Sequence, residues 1–216
     1  MTINECVYKD VCTAFCSDNC IRFLEMSSLL EKSQIPENRW RPISLSPDDC
    51  DYEAFCKLAD IKDEIDGFVV MGQNLYIFSD KTGNGKTSWA IKLMLKYFDT
   101  IWAGNGFRCR GVFVHVPTLL TRLKNFEVSD PQLDELKTIL PTVDLVVWDD
   151  IASTALSNYD HSQLITYIDQ RTLNNKSNIF TGNLRQQGIE KSLGARLASR
   201  VWNASTRIEL KGRDKR

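Results

Sequence analysis

Apolar positions along this chain of 216 residues follow two rhythms. The runs Leu75-Tyr76-Ile77-Phe78, Val112-Phe113-Val114 and Leu145-Val146-Val147-Trp148 have the length of strands and no polar alternation. That pattern marks strands covered on both faces. Strands are predicted over 74–78, 111–116, 144–148, 177–181 and 206–210, the second closed by Pro117. Helical spacing predicts helices over 86–97, 118–126, 131–140, 161–171 and 189–201; the fourth places Leu164, Ile165 and Ile168 inward. Ahead of these, residues 21–33 form an amphipathic pattern on Phe23, Leu24, Leu29 and Leu30 that stops before Pro36. Residues 37–47, around Trp40, carry the prolines of an irregular linker, and a helix is predicted from Asp48 or Asp49 to Ile65. Strands alternating with helices predict an α/β fold, a five-stranded parallel sheet between helices. Six residues remain after the last predicted strand, so no C-terminal helical lid is expected.

The chemistry sits where a strand gives way to a helix. Thr82-Gly83-Asn84-Gly85-Lys86-Thr87-Ser88 joins the strand at 74–78 to the helix at 86–97. Glycines let backbone N–H groups turn inward around phosphate oxygens, and the helix aims its positive end at the same anion. In this P-loop pattern Lys86 reaches the β- and γ-phosphates and the Thr87 hydroxyl holds Mg²⁺. The first glycine of the usual spacing is replaced by Asp80, whose carboxylate would repel phosphates unless it turns away. A second signal agrees: Asp149 and Asp150 end an apolar strand, where open α/β sheets place their ligands. Asp149 would bind the Mg²⁺, and Asp150 would polarise the attacking water.

Other residues allow two readings each. Asn183 ends a strand expected beside the P-loop strand and can orient water near the γ-phosphate, or belongs to an ordinary Gly-Asn turn. Arg196 and Arg200 lie four apart on one helix face, either reaching a neighbour's nucleotide or facing solvent. Arg122 and Lys124, with Arg171, Lys176 and Arg185, line a path for single-stranded nucleic acid or a solvated surface. Cys6, Cys12, Cys16 and Cys20 supply four thiolates to zinc, to an iron–sulfur cluster, or remain free thiols. Zinc is favoured slightly, because a segment of about forty residues builds little core of its own.

Composition narrows the classes. A hydrophobic share of 43% supports a packed core, while no stretch approaches a membrane-spanning helix and residues 1–10 lack the pattern of a secretory signal. Residues 1–70 hold 7 Lys/Arg against 14 Asp/Glu, net −7; residues 171–216 hold 11 against 3, net +8. The asymmetry suggests an acidic end for protein docking and a basic end facing phosphates.

Taken in order, Ser79-to-Ala90 (SDKTGNGKTSWA), the Asp149-Asp150 strand end, Ile179-Phe180-Thr181-Gly182-Asn183 and Leu193-to-Val201 (LGARLASRV) resemble AAA+ helicase loaders of the DnaC/DnaI type. The clustered cysteines, followed by Cys20-Ile21-Arg22-Phe23-Leu24-Glu25-Met26 and a Ser33-Gln34-Ile35-Pro36 stop, are similar to phage-encoded members. The resemblance implies an AAA+ (ASCE) P-loop ATPase of residues 46–216, with residues 1–45 as a small cysteine-rich helical domain. It implies ATP and Mg²⁺ as cofactors, with slow, assembly-dependent hydrolysis. It implies docking of the N-terminal part on a hexameric DnaB-type replicative helicase, placement of that helicase on single-stranded DNA, and self-association through the nucleotide. Asn183 matches sensor 1, Arg200 the arginine finger with Arg196 beside it, and residues 118–140 the insertion that touches single-stranded DNA. The location implied is cytoplasmic, in a host cell for a phage-encoded protein. Asp80, Gly182 and Asp150 depart from the family pattern, which bears on hydrolysis rate more than on binding. Two rivals share parts of the pattern: an IstB-like ATPase serving a transposase, which shares the AAA+ core, and a small P-loop kinase, for which a substrate lid is missing.

Overall fold

The computed structural model describes residues 6, 8, 12, 17, 19–41, 43–125, 129–153 and 156–214. Five strands form one sheet: β1 (Asn74–Phe78), β2 (Gly111–His115), β3 (Leu145–Asp149), β4 (Ser177–Gly182) and β5 (Thr206–Glu209). Their order is β2-β3-β4-β1-β5 and every pairing is parallel. β1 lies between β4 and β5, with Phe78 opposite Gly182 and Glu209, so the strand ends that carry the motifs are neighbours.

Side chains alternate across the strands and sort the core into two layers. Tyr76, Phe78, Val146, Trp148 and Phe180 point to one face. It is covered by α5 (Val116–Lys124), α6 (Pro131–Ile139), α7 (Asn158–Leu173) and α8 (Gln186–Ala198). Leu75, Ile77, Leu145, Val147 and Ile179 point to the other. That face is covered by α1 (Ile21–Lys32), α2 (Tyr52–Asp63), α3 (Ile65–Val70) and α4 (Lys86–Ile101). Local signals set several helix starts. Asp130 caps α6 by accepting from the Leu133 N–H at 3.0 Å, ahead of Pro131. Ser157 and Asp160 form a capping box that starts α7 three residues before its predicted beginning.

The helix predicted from Asp48 or Asp49 to Ile65 is two: α2, preceded by a short 3₁₀ turn over Asp49–Asp51, and α3. α8 is broken at Gly194, whose backbone (φ 72°, ψ 159°) leaves the helical region, and a π-turn follows over Ser199–Asn203. Leu24, predicted inward, is exposed; Met26 fills the core instead.

Packing shows no break at residue 45. α1 buries Met26, Leu29 and Leu30 in the same layer as α4, and Ser33 accepts from the Phe113 N–H at 2.7 Å. Tyr8 Oη and Arg22 Nη2 both donate to Asp99 Oδ1 on α4, at 2.7 and 2.6 Å. Residues 26–35 therefore contribute to the same core layer as α4 and the sheet.

Candidate nucleotide-binding site

β1 ends at Phe78 and the chain turns through residues 79–85 into α4. Gly83 (φ 70°) and Gly85 (φ 99°) occupy the left-handed region, which a side chain enters only with strain. A Cβ on Gly83 would also fall 2.0 Å from the Asp214 carboxylate. The Asn84 side chain is fully buried. Its Nδ2 donates to Ser79 Oγ at 2.6 Å and to the Leu210 carbonyl at 3.0 Å. The loop is thereby fastened to the strand before it and to the chain after β5.

That following segment, residues 210–214, packs along the loop. Lys81 Nζ donates to the Lys211 carbonyl at 2.8 Å. On its other side, the buried Asp51 carboxylate accepts from the Lys211 N–H and, at 2.9 Å, from the Gly212 N–H, and Asp48 accepts from the Arg213 N–H at 3.0 Å. Asp80 is exposed and is not among the residues that line the cleft.

A cleft of about 720 Å³ opens over the loop. Thr82, Gly83, Asn84, Gly85, Lys86, Thr87 and Ser88 form its floor, with Asp149, Asp150, Thr181 and Asn183 on the sheet side. Thr87 Oγ1 donates to Asp149 Oδ1 at 2.7 Å, and Thr181 Oγ1 donates to the same oxygen at 2.7 Å. A hydroxyl and a carboxylate so placed are the hard oxygen donors Mg²⁺ prefers. Lys86 Nζ is parked on the Lys81 carbonyl at 2.7 Å, with Asn84 Oδ1 at 3.3 Å.

Asp150 has φ 61°, unusual for a residue with a side chain. Its N–H donates to Thr181 Oγ1 at 3.0 Å, and its Oδ1 accepts from Asn183 Nδ2 at 3.4 Å. Asn183 Oδ1 is buried without a hydrogen-bond partner among the described residues. An orphaned acceptor beside a carboxylate fits a site that receives a water or a ligand. Thr181, which joins Asp149 to Asp150, was not singled out from the sequence; its even spacing from Ile179 on a strand beside β1 was the available signal.

The sequence also passed over the linker. Arg39, Ile43, Ser44, Leu45 and Ser46 form the wall of the cleft opposite the sheet. Arg39 Nη1 donates to Ser88 Oγ at 3.1 Å.

The remaining candidates lie away from this cleft. Arg196 Nη2 and Arg200 Nε both donate to Asp169 on α7, at 2.6 and 2.8 Å, which holds the Asp169 carboxyl below its ordinary range against the opposing effect of burial. Arg122 pairs with Asp130 at 2.7 Å and Lys124 with Asp160 at 2.7 Å. Arg171 does not line a surface path. It is fully buried, and donates to Asn178 Oδ1 at 2.7 Å and to the carbonyls of Leu140 (2.6 Å), Val143 (2.8 Å), Asp144 (3.3 Å) and Ser177. Burial pushes its pKa down to about 9, still above neutrality, so it keeps its charge. Cys6, Cys12 and Cys20 carry free thiols and are partly exposed; Cys16 lies outside the described residues. Among the described residues no group of three or more His, Cys, Asp or Glu side chains is placed to share a metal. Among them, too, no helix is long and apolar enough to cross a membrane.

A five-stranded parallel sheet in the order β2-β3-β4-β1-β5, with a P-loop after its fourth strand in space and an acidic pair at the end of β3, is a fold shared with AAA+ P-loop proteins. The chain is similar to a crystal structure of the DnaC helicase loader, with a TM-score of 0.64 and 20% identity over 77% of this chain and 93% of that one. It is similar to a DnaI structure, with a TM-score of 0.63 and 20% identity over 82% and 95% of the two chains. The replication initiator DnaA, bound to AMPPCP and single-stranded DNA, matches with a TM-score of 0.57 and 16% identity over 78% of this chain and 49% of its own. No protein-family model matches the sequence, and no curated protein matches it.

Proposed function

We propose that the protein is an ATP-dependent loader that docks on a hexameric DnaB-type replicative helicase and helps place it on single-stranded DNA at replication initiation. The observation that carries this reading is the joining of a phosphate and magnesium site to a fold shared with DnaC and DnaI over 93% and 95% of those chains. The fit of nucleotide to residues is direct. Backbone N–H groups at 82–85 and the start of α4 would cradle the phosphates, and Lys86 would leave the Lys81 carbonyl to reach them. Thr87 and Asp149 would hold Mg²⁺. Bound Mg·ATP supplies the phosphoryl group that passes to water. Asp150, steered by Asn183, orients that water; its Asp-for-Glu reach suits slow hydrolysis.

Arg200, with Arg196, is assigned to a neighbouring subunit's nucleotide, which makes hydrolysis depend on assembly. α5 and α6 are assigned to single-stranded DNA through Arg122 and Lys124, without Arg171. The acidic N-terminal part is assigned to the helicase.

Size measurement tests it. Mixed with its cognate helicase and ATP, the protein is expected to form a large complex that takes up single-stranded DNA. Lys86→Ala is expected to abolish the nucleotide dependence. A Lys86→Ala variant that loads the helicase as the natural protein does removes the mechanism. Preference for duplex DNA without helicase binding would instead favour a transposase-assisting ATPase.

A further inference from the structure

Arg39 belongs to the segment between α1 and α2, yet its guanidinium stands over the first turn of α4. Its Nη1 bonds the Ser88 hydroxyl, one residue past the Mg²⁺-binding Thr87, and the side chain lines the nucleotide cleft. The mount is firm. A 3₁₀ turn over Glu37–Arg39 is closed by the Arg39 N–H on the Pro36 carbonyl at 2.8 Å. Trp40 Nε1 donates to the Ile35 carbonyl at 2.8 Å, and Ile35 is anchored in the core.

Electrostatics make the position unusual. A helix N-terminus carries partial positive charge and favours anions, so a guanidinium held there by a neutral hydroxyl is unfavourably placed. Lys86 brings a second cation to the same end of the helix. Two cations at one positive dipole end are stabilised by an anion seated between them. We propose that Arg39 is a nucleotide-binding residue contributed in cis, which grips the polyphosphate at its Ser88 end while Lys86 serves the far end. The wall of residues 43–46, which brings a Leu45 methyl carbon to 3.7 Å from a Cβ built on Gly85, lines the cleft beside it. Occupancy of the cleft thereby bears on the segment that joins α1 to α2.

The inference rests on the nucleotide-binding reading, and one titration separates the two. Calorimetry with Mg·ATP and Mg·ADP compares the natural protein with Arg39→Ala, Arg39→Gln and Arg39→Lys. Because the grip is at the Ser88 end, Arg39→Ala and Arg39→Gln are expected to weaken ATP and ADP alike, by roughly tenfold, the scale of one charge-assisted hydrogen bond at an open site. Arg39→Lys should recover part of that loss, and the ligand-free melting temperature should stay unchanged in all three. Unchanged affinity for both nucleotides in folded Arg39→Gln overturns the assignment. Weakening of ATP alone moves the contact to the γ-phosphate and overturns its placement. A natural protein that takes up neither nucleotide removes the inference and the proposed function together.

Discussion

Replacing Arg171 with Met asks whether this residue is a nucleic-acid contact or a structural junction. All five N–H donors of the guanidinium are used, which is the full capacity of the group. Not every partner is orphaned by the change. Asn178 Oδ1 keeps the Trp148 Nε1 donor at 2.9 Å, and the Asp144 carbonyl keeps the Ser177 N–H at 3.1 Å. The Leu140 and Val143 carbonyls, at the exit of α6, lose the bonds that tie them to α7. Each buried acceptor left unpaired costs about 1–3 kcal/mol, and the methionine returns part of the lost packing volume. A net destabilisation of about 3–5 kcal/mol follows, within the range for breaking a buried charged network. For a chain of this size that is a fall in melting temperature of roughly 10 °C. Thermal unfolding followed by circular dichroism reads the effect directly. Single-stranded DNA affinity, measured by fluorescence anisotropy well below the transition, is expected to stay within about twofold of the natural protein. A variant that melts within about 2 °C of the natural protein, or one that stays folded and loses DNA binding, refutes the structural role.

Two further predictions concern groups outside the cleft. Arg122 and the Leu133 N–H hold the Asp130 carboxyl down at about 2. A carboxylate whose folded pKa is depressed adds stability above its unfolded value and loses it as pH falls towards about 2. Arg122→Gln should return the Asp130 midpoint towards the ordinary value near 3.9, read by NMR titration; an unmoved midpoint contradicts the pairing. Asp169→Asn removes the carboxylate that fixes both Arg196 and Arg200, and assembly-stimulated hydrolysis is expected to fall by at least roughly tenfold while single-subunit ATP affinity holds. Stimulation equal to that of the natural protein dismisses Asp169 as a positioning residue.

Much of the site was legible because it is local. The P-loop, the acidic pair and the strands that bear them are short apolar runs with turn or charged residues at fixed offsets, and period alone places them. Asn183 was legible from the order of strands, since a residue ending β4 faces the P-loop once β4 pairs with β1. What escaped were contacts that no local rule encodes. The inward turn of Asn84 depends on the Leu210 carbonyl, 126 residues away. Arg171 reads as a surface cation because arginine is seldom fully buried, and only the carbonyls of two separate segments, 140–144 and Ser177, converging on it reverse that expectation. Arg39 was hidden in a segment without periodicity, where spacing carries no information about what a side chain meets. The break at Gly194 was missed because apolar spacing continues across it.

The strand of chain after β5 changes how the phosphate cradle should be pictured. Residues 210–214 are wedged between the cradle and the carboxylates of Asp48 and Asp51, so three stretches distant in sequence make one rim. The lever runs both ways. A pull on this strand, by a fused tag or by a bound protein, is expected to distort the cleft that residues 82–88 line, and filling the cleft to stiffen the strand in return.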